Sequence, residues 1–105
     1  MTTFDEREKA FENRYARDQE LQFKVIARRN RLTGLWAAGK LGLEGEAAED
    51  YARSVVAADF EEAGDADVIR KLMADLGSHG VTEADIAAAL QANQAEARRQ
   101  IMETI

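Results

Sequence analysis

An all-α fold is predicted for this chain, a four-helix bundle preceded by a charged and flexible N-terminal arm. Apolar residues recur at the three- and four-residue spacing of a helix face in successive segments, and no segment sustains the two-residue alternation of a strand. The 105 residues include no proline, which suits long helices joined by glycine turns. We divide the chain into a mobile arm, residues 1–19, and the bundle, residues 20–105.

The first segment, residues 1–19, is crowded with charges of both signs and has few large apolar residues. Phe4, Phe11 and Tyr15 recur at i, i+7 and i+11, which places them on one narrow stripe of a helix. A segment with so little apolar surface is not expected to fold on its own. Two interpretations stay open: the segment docks into a groove of a partner and folds as it binds, or it is a frayed extension of the next helix.

The second segment, about residues 20–41, is the strongest predicted helix. Its apolar face contains Leu21, Val25, Leu32, Leu35, Trp36 and Leu41. Gly34 and Gly39 lie in its last turns, where each costs up to about 1 kcal/mol relative to alanine. We therefore expect another helix to cross closely there. Gly42 and Gly45 bracket the turn that follows.

The third and fourth predicted helices are shorter. The third spans about residues 46–63, and its apolar face contains Tyr51, Ala52, Val55, Val56 and Phe60. Gly64 is a suitable C-terminal stop for it. Asp65 then provides an N-cap for the fourth helix, which extends to Gly77.

The start of the fifth helix carries the clearest local pattern. Thr82 is an N-cap with Asp85 three residues later, an aspartate variant of the capping box, and Val81 can pack on Ile86 as a hydrophobic staple. The face continues through Leu90, Asn93, Ala97 and Ile101. Because this face is thin and alanine-rich, we expect the helix either to pack closely or to fray near its end.

Composition argues against several classes of function. The net charge of −6 disfavours nucleic acid and anionic membrane surfaces as partners. No apolar run approaches the roughly 20 residues that span a bilayer, and the acidic start of the chain lacks an apolar signal region, so neither membrane insertion nor export is expected. The absence of cysteine excludes disulfides and thiolate zinc sites.

No catalytic or metal-binding constellation is predicted. The single histidine, His79, lies in a glycine loop, and no nucleophile or carboxylate has a defined relation to it. The segment from Gly34 to Lys40 matches a phosphate-binding loop except that Leu41 replaces the Ser or Thr that binds magnesium, and a helix rather than a strand precedes it. We therefore expect neither an enzyme nor a metal or other cofactor.

A basic cluster on the second helix has two interpretations. Lys24, Arg28, Arg29 and Arg31 lie at neighbouring helical positions and could hold a phosphate or a carboxylate. Alternatively, they form a solvated face that balances the acidic residues of the neighbouring helix.

The chain resembles the ATP synthase zeta subunit family of alphaproteobacteria over nearly its whole length. The resemblance is dense from Phe4 to Lys71 and thin after Gly77. It rests on Phe4-Asp5, Arg7-Glu8, Phe11-Glu12, Ala16-Arg17-Asp18, Phe23-Lys24, residues 27–32, residues 34–38, Tyr51-Ala52, Val55-Val56, residues 58–61, Gly64, Asp67-Val68 and Arg70-Lys71. Thr33 departs from the pattern, which has an aliphatic residue there, and the departure concerns packing more than function.

The resemblance implies an inhibitor of ATP hydrolysis, cytoplasmic and peripheral on the inner-membrane ATP synthase. The arm of this family enters between an alpha and a beta subunit against the gamma shaft, becomes helical there, and blocks hydrolysis while allowing synthesis. The implied contact residues are the anchors Phe4, Phe11 and Tyr15, with Arg7, Arg14 and Arg17 assigned to acidic partner surfaces from their charge. The family has also been linked to ATP or ADP binding, for which Lys24, Arg28 and Arg29 are candidates.

Other functions remain as alternatives from the residues alone. The first is a nucleotide-responsive helical regulatory module with a different protein partner. A structural dimerising bundle and a helical enzyme of unrecognised type are the others.

Overall fold

The fold is described here from a computed structural model of the chain, for residues 3–59 and 65–104, with side chains from residue 6 onward. Every element in these ranges is helical, which confirms the all-α prediction. The helices are α1 (Thr3–Arg17), α2 (Gln19–Lys40), α3 (Gly45–Ala58), α4 (Ala66–Leu76) and α5 (Glu83–Thr104), with a short 3₁₀ turn at Gly77–His79 between the last two. None of the described helices is long and apolar enough to cross a membrane.

Helix α2 is the centre of the bundle, because α3 packs along one side of it and α5 along another. A first core cluster joins α2 to the three helices that follow. Its buried members are Ala37, Val55, Val68, Leu72, Leu76, Val81, Ile86 and Leu90. Val55, Ile86 and Leu90 of this cluster belong to the apolar faces predicted for α3 and α5.

The expected close helix crossing occurs at Gly34 and not at Gly39. A Cβ atom on Gly34 would lie 2.7 Å from the Cα of Ala52, so α2 and α3 touch backbone to backbone there. A Cβ on Gly39 would meet nothing within 4 Å, so the packing reason predicted for Gly39 is wrong. Gly42 and Gly45, with φ of +76° and +56°, form the turn that reverses the chain into α3.

Of the two predicted N-terminal caps, the one at α5 forms and the one at α4 does not. At α5 the Thr82 N–H donates to Asp85 Oδ2 at 3.0 Å, and the Asp85 N–H donates to Thr82 Oγ1 at 3.1 Å. The predicted capping box is thus confirmed, and Val81 and Ile86 belong to one core cluster. Asp65 does precede α4, but its side chain makes no capping hydrogen bond, because its carboxylate binds Arg29 instead.

The ends of α3 and α5 bear on two further predictions. Helix α3 ends at Ala58, with Asp59 as its C-cap, so its predicted continuation to residue 63, together with Phe60 and Gly64, lies outside the described residues. Helix α5 continues to Thr104, and Ala97, Ile101 and Met102 are buried. Close packing, the first of the two expectations for α5, is therefore the observed one.

We predict opposite effects of alanine at the two glycines of α2. Gly34→Ala forces the new methyl group into the Ala52 backbone, and such overpacking costs about 1–3 kcal/mol of the free energy of unfolding. Gly39→Ala places a methyl group in open space and favours the helix by up to about 1 kcal/mol. Urea unfolding of both variants measures the difference, and equal stabilities would contradict the close crossing.

Candidate partner-binding site

Helix α1 packs against the bundle through Phe11 and Tyr15, two of the three residues of the aromatic stripe predicted from the sequence. Phe11 retains only 3% of its exposed surface and belongs to a second core cluster. The other buried members of that cluster are Leu21, Val25, Ala97, Ile101 and Met102, with Tyr15 and Leu32 packed against it. In this state Phe11 and Tyr15 contact α2 and α5, and Phe11 is not accessible to a partner.

Arg98 of α5 is the polar counterpart of this aromatic contact. The Phe11 and Tyr15 rings stack at a centroid distance of 5.9 Å. The Arg98 guanidinium lies 4.9 Å from the Tyr15 ring centroid and 5.7 Å from that of Phe11, and it also pairs with Glu12. Cation–π contacts add about 0.5–2 kcal/mol according to their exposure, so one side chain of α5 holds three residues of α1.

The rest of α1 presents charge to solvent. Arg7, Arg14 and Arg17 are exposed, and Arg14 Nε makes only a long contact of 3.4 Å with Asp18 Oδ2. The side chain of Phe4 lies outside the described residues. The predicted anchors Phe11 and Tyr15 thus share one face of α1, and the three arginines remain accessible.

A single non-helical residue, Asp18, separates α1 from α2. Its backbone is extended, with φ −106° and ψ 103°, and its Oδ1 accepts a hydrogen bond from the Leu21 N–H at 3.2 Å. That bond is the main cause of the lowered pKa of the Asp18 carboxyl. Gln22 Nε2 donates to the Tyr15 carbonyl at 2.6 Å across the break. The interpretation of α1 as a frayed extension of α2 therefore does not describe this structure.

The basic cluster of α2 is divided among different partners. Lys24 is exposed and pairs with Glu20 at 3.5 Å, and Arg28 Nη1 donates to Gln100 Oε1 of α5 at 2.7 Å. Arg31 pairs with Glu49 of α3 at 2.8 Å, as expected for a face that balances neighbouring acids.

Arg29, in contrast, is 3% exposed and pairs with Asp65 Oδ1 at 2.7 Å. Its guanidinium is therefore buried and paired within the bundle. Nucleotide binding by Lys24, Arg28 and Arg29 stays a prediction, which amide shifts on ATP or ADP addition would test.

Arg29 belongs to a buried polar layer between α2 and α5. Its guanidinium donates to Asn30 Oδ1 and to Gln94 Oε1, at 3.0 and 3.2 Å. Thr33 is fully buried, donates to the Arg29 carbonyl at 2.9 Å, and accepts from Asn93 Nδ2 at 3.0 Å.

This layer explains the departure noted at Thr33, since its hydroxyl has a partner on each helix. It also explains why Asn93 lies on the buried face of α5. Close by, burial raises the pKa of the Asp59 carboxyl, although the Arg29 charge acts in the opposite direction.

Arg98, Gln94 and Asp65 were not predicted from the sequence as partners of the arm or of the basic cluster. Arg98 lies 83 to 87 positions from the aromatic residues that it covers, so local spacing gives no indication of the contact. The one indication in the sequence was that Arg98 follows Ala97 on the alanine-rich face of α5. Such a thin face leaves room for a long side chain to lie across a neighbouring helix.

We predict that Phe11→Ala detaches α1 without unfolding the remaining helices. Truncating a buried Phe costs about 3–5 kcal/mol, and α1 has little other apolar contact to compensate. Amide hydrogen exchange should accelerate in residues 6–17 and remain slow in α4, whose cluster does not contain Phe11. Asn13→Ala, on the exposed side of α1, is the control. Equal acceleration in α1 and α4 would instead make α1 an integral part of the bundle.

Two carboxylates that pair with arginine provide a second prediction. Asp65→Asn removes the charge opposite Arg29, which is 3% exposed, whereas Glu49→Gln removes the charge opposite Arg31, which is 46% exposed. We expect a loss of about 1–3 kcal/mol for the first and below about 1 kcal/mol for the second. Urea unfolding compares them, and equal losses would show that Arg29 is compensated without Asp65.

Comparison with known proteins gives the family of the chain. A solved structure, determined by NMR in solution, is 47% identical, covers 81% of this chain and 99% of its own, and superposes with a TM-score of 0.74. Comparison with curated proteins finds no match. The model of one family, ATPase inhibitor subunit zeta, matches residues 1–100. With its helical bundle and its arm of charged and aromatic residues, the chain belongs to the ATPase inhibitor subunit zeta family.

Proposed function

We propose that this protein inhibits ATP hydrolysis by a bacterial F-type ATP synthase, and that α1 is the inhibitory element. Family membership supports the inhibitory role and an F-type ATP synthase as the partner. In the proposed mechanism α1 leaves the bundle and docks as a helix between an alpha and a beta subunit, against the gamma shaft. The protein then acts as a peripheral, cytoplasmic regulator and has no catalytic step of its own.

The observation that carries this proposal is that α1 buries one side chain against the bundle. Phe11 is the one residue of α1 that is buried among those with described side chains. Burying a Phe side chain is worth about 1.5–3 kcal/mol, and the paired Glu12 and Arg98 are partly exposed. Contacts with a groove of a partner can replace a stabilisation of this size, because a few aromatic and arginine residues supply several kcal/mol of binding free energy in protein interfaces.

The arm also carries the residue types that such an interface uses. Phe11 and Tyr15 provide a rigid apolar stripe, and Arg7, Arg14 and Arg17 provide exposed donors for acidic surfaces. Because α1 is already helical in this structure, docking does not require the whole segment to be ordered from a coil. The conformational cost of binding is then mainly the cost of undocking.

Undocking sets the apparent affinity. If the docked state is favoured by about 2–3 kcal/mol, only roughly 0.6–3% of molecules have a free arm, and the dissociation constant for the partner rises by the inverse of that fraction. Any change that weakens the contact of α1 with α2 and α5, without altering the binding stripe, should therefore strengthen inhibition.

The test is a titration of the purified catalytic sector, stripped of this protein, while its ATP hydrolysis rate is followed. We expect a fall that saturates near one copy per complex. No change at excess protein, with binding shown to be absent, would contradict the proposed function.

A charge variant identifies the arm as the inhibitory element. Arg7→Gln with Arg17→Gln removes two exposed charges from α1, and hydrogen bonds to charged groups are worth about 1.5–3 kcal/mol each. We expect the half-inhibitory concentration to rise at least about ten-fold. Arg53→Gln with Arg99→Gln, which removes two exposed charges from α3 and α5, is the matched control. An equal effect of both pairs would mean that net charge matters and the arm does not.

A further inference from the structure

The break between α1 and α2 is smaller than an ordinary interhelical turn. The helical hydrogen-bond ladder continues on both sides of Asp18, whose N–H donates to the Arg14 carbonyl at 2.9 Å and whose carbonyl accepts from the Gln22 N–H at 3.1 Å. In a continuous helix, the N–H groups of residues 19–21 would bind the carbonyls of residues 15–17. The bend interrupts these three hydrogen bonds and leaves the ladder intact on either side.

Two side chains take the place of interrupted backbone partners. The Asp18 carboxylate accepts from the Leu21 N–H at 3.2 Å, a donor that would otherwise bind the Arg17 carbonyl. The Gln22 amide donates to the Tyr15 carbonyl at 2.6 Å, an acceptor that would otherwise bind the Gln19 N–H. Asp18 and Gln22 thus satisfy groups that the bend would leave unpaired.

Nothing in the covalent structure of this segment requires the bend. Sharp kinks in helices are usually caused by proline or glycine, and residues 14–22 contain neither. Asp18 has φ −106° and ψ 103°, so it reaches the helical region mainly by a rotation of ψ, with φ negative throughout. The bent form is held by Asp18, Gln22 and the burial of Phe11, and a straight form recovers the three backbone hydrogen bonds.

We infer that Asp18 and Gln22 form a two-state hinge that controls the availability of α1. In the bent state α1 lies on α2 and α5 with Phe11 buried. In the straight state α1 continues α2 as one helix from Thr3 to Lys40, and Phe11 and Tyr15 are free for a partner. The inference rests on the proposed function, in which the free stripe is the inhibitory surface, and it assigns to the hinge residues a positioning role.

Opposite substitutions test the hinge. Asp18→Ala with Gln22→Ala removes both replacement partners and introduces good helix formers, which favours the straight state. Gln19→Pro favours the bent state, because proline suits the first position of a helix, holds Asp18 in an extended conformation, and cannot donate to the Tyr15 carbonyl. Asp50→Ala with Gln91→Ala, an exposed Asp and an exposed Gln elsewhere, is the matched control.

The first readout is independent of the ATPase. Spin labels on cysteines introduced at Asn13 of α1 and Ala92 of α5, in a chain with no native cysteine, report the distance between the two helices. We expect the population with a long distance to increase in the alanine variant, to disappear in the proline variant, and to be unchanged in the control. Identical distance distributions in all four proteins would overturn the hinge.

The second readout is the half-inhibitory concentration of the same proteins without labels. We expect it to fall about ten-fold for the alanine variant and to rise about ten-fold for the proline variant. If the distances shift but the variants inhibit as the unaltered protein does, the coupling of the hinge to inhibition is overturned. If the distances shift and no protein inhibits, the hinge stands and the proposed function fails.

Discussion

The contact of Gly34 with Ala52 is the constraint on which the rest of the bundle depends. It lets the α2 and α3 backbones touch, and this sets the depth at which Val55 enters the first core cluster beside Ala37. Helix α5 then packs on another side of α2. The surface that receives α1 is made by α2 and α5 together, at the end of α2 that lies away from this crossing.

The parts of the fold that the sequence predicted are those specified by neighbouring residues. The capping box at Thr82 and Asp85 lies within four residues, and its two hydrogen bonds form as the pattern requires. The stripe of Phe11 and Tyr15 was likewise identified from spacing alone. Propensity and pattern act over one or two helical turns, and there they agree with the final structure.

The features that the sequence did not predict depend on residues far apart in the chain. Asp65 has the sequence position of an N-cap, but its carboxylate pairs with the buried guanidinium of Arg29 from α2. Leaving that buried charge unpaired would cost more free energy than losing the capping hydrogen bond. Arg98 covers two rings that lie more than 80 positions away. The spacing thus predicted that Phe11 and Tyr15 share one face of α1, whereas the packing of that face against α5 required the structure. Binding of a partner by these residues stays a prediction.

The polar layer of Arg29, Asn30, Thr33 and Asn93 has a consequence for cooperativity. Along α2 it lies between Val25 of the second cluster and Ala37 of the first, and along α5 it lies between Leu90 and Ala97. Because directional hydrogen bonds separate the two apolar clusters, we expect each cluster to open with a free energy of its own. The first cluster can then keep its native packing while the second opens, and a protein this small can alter one end without melting the other.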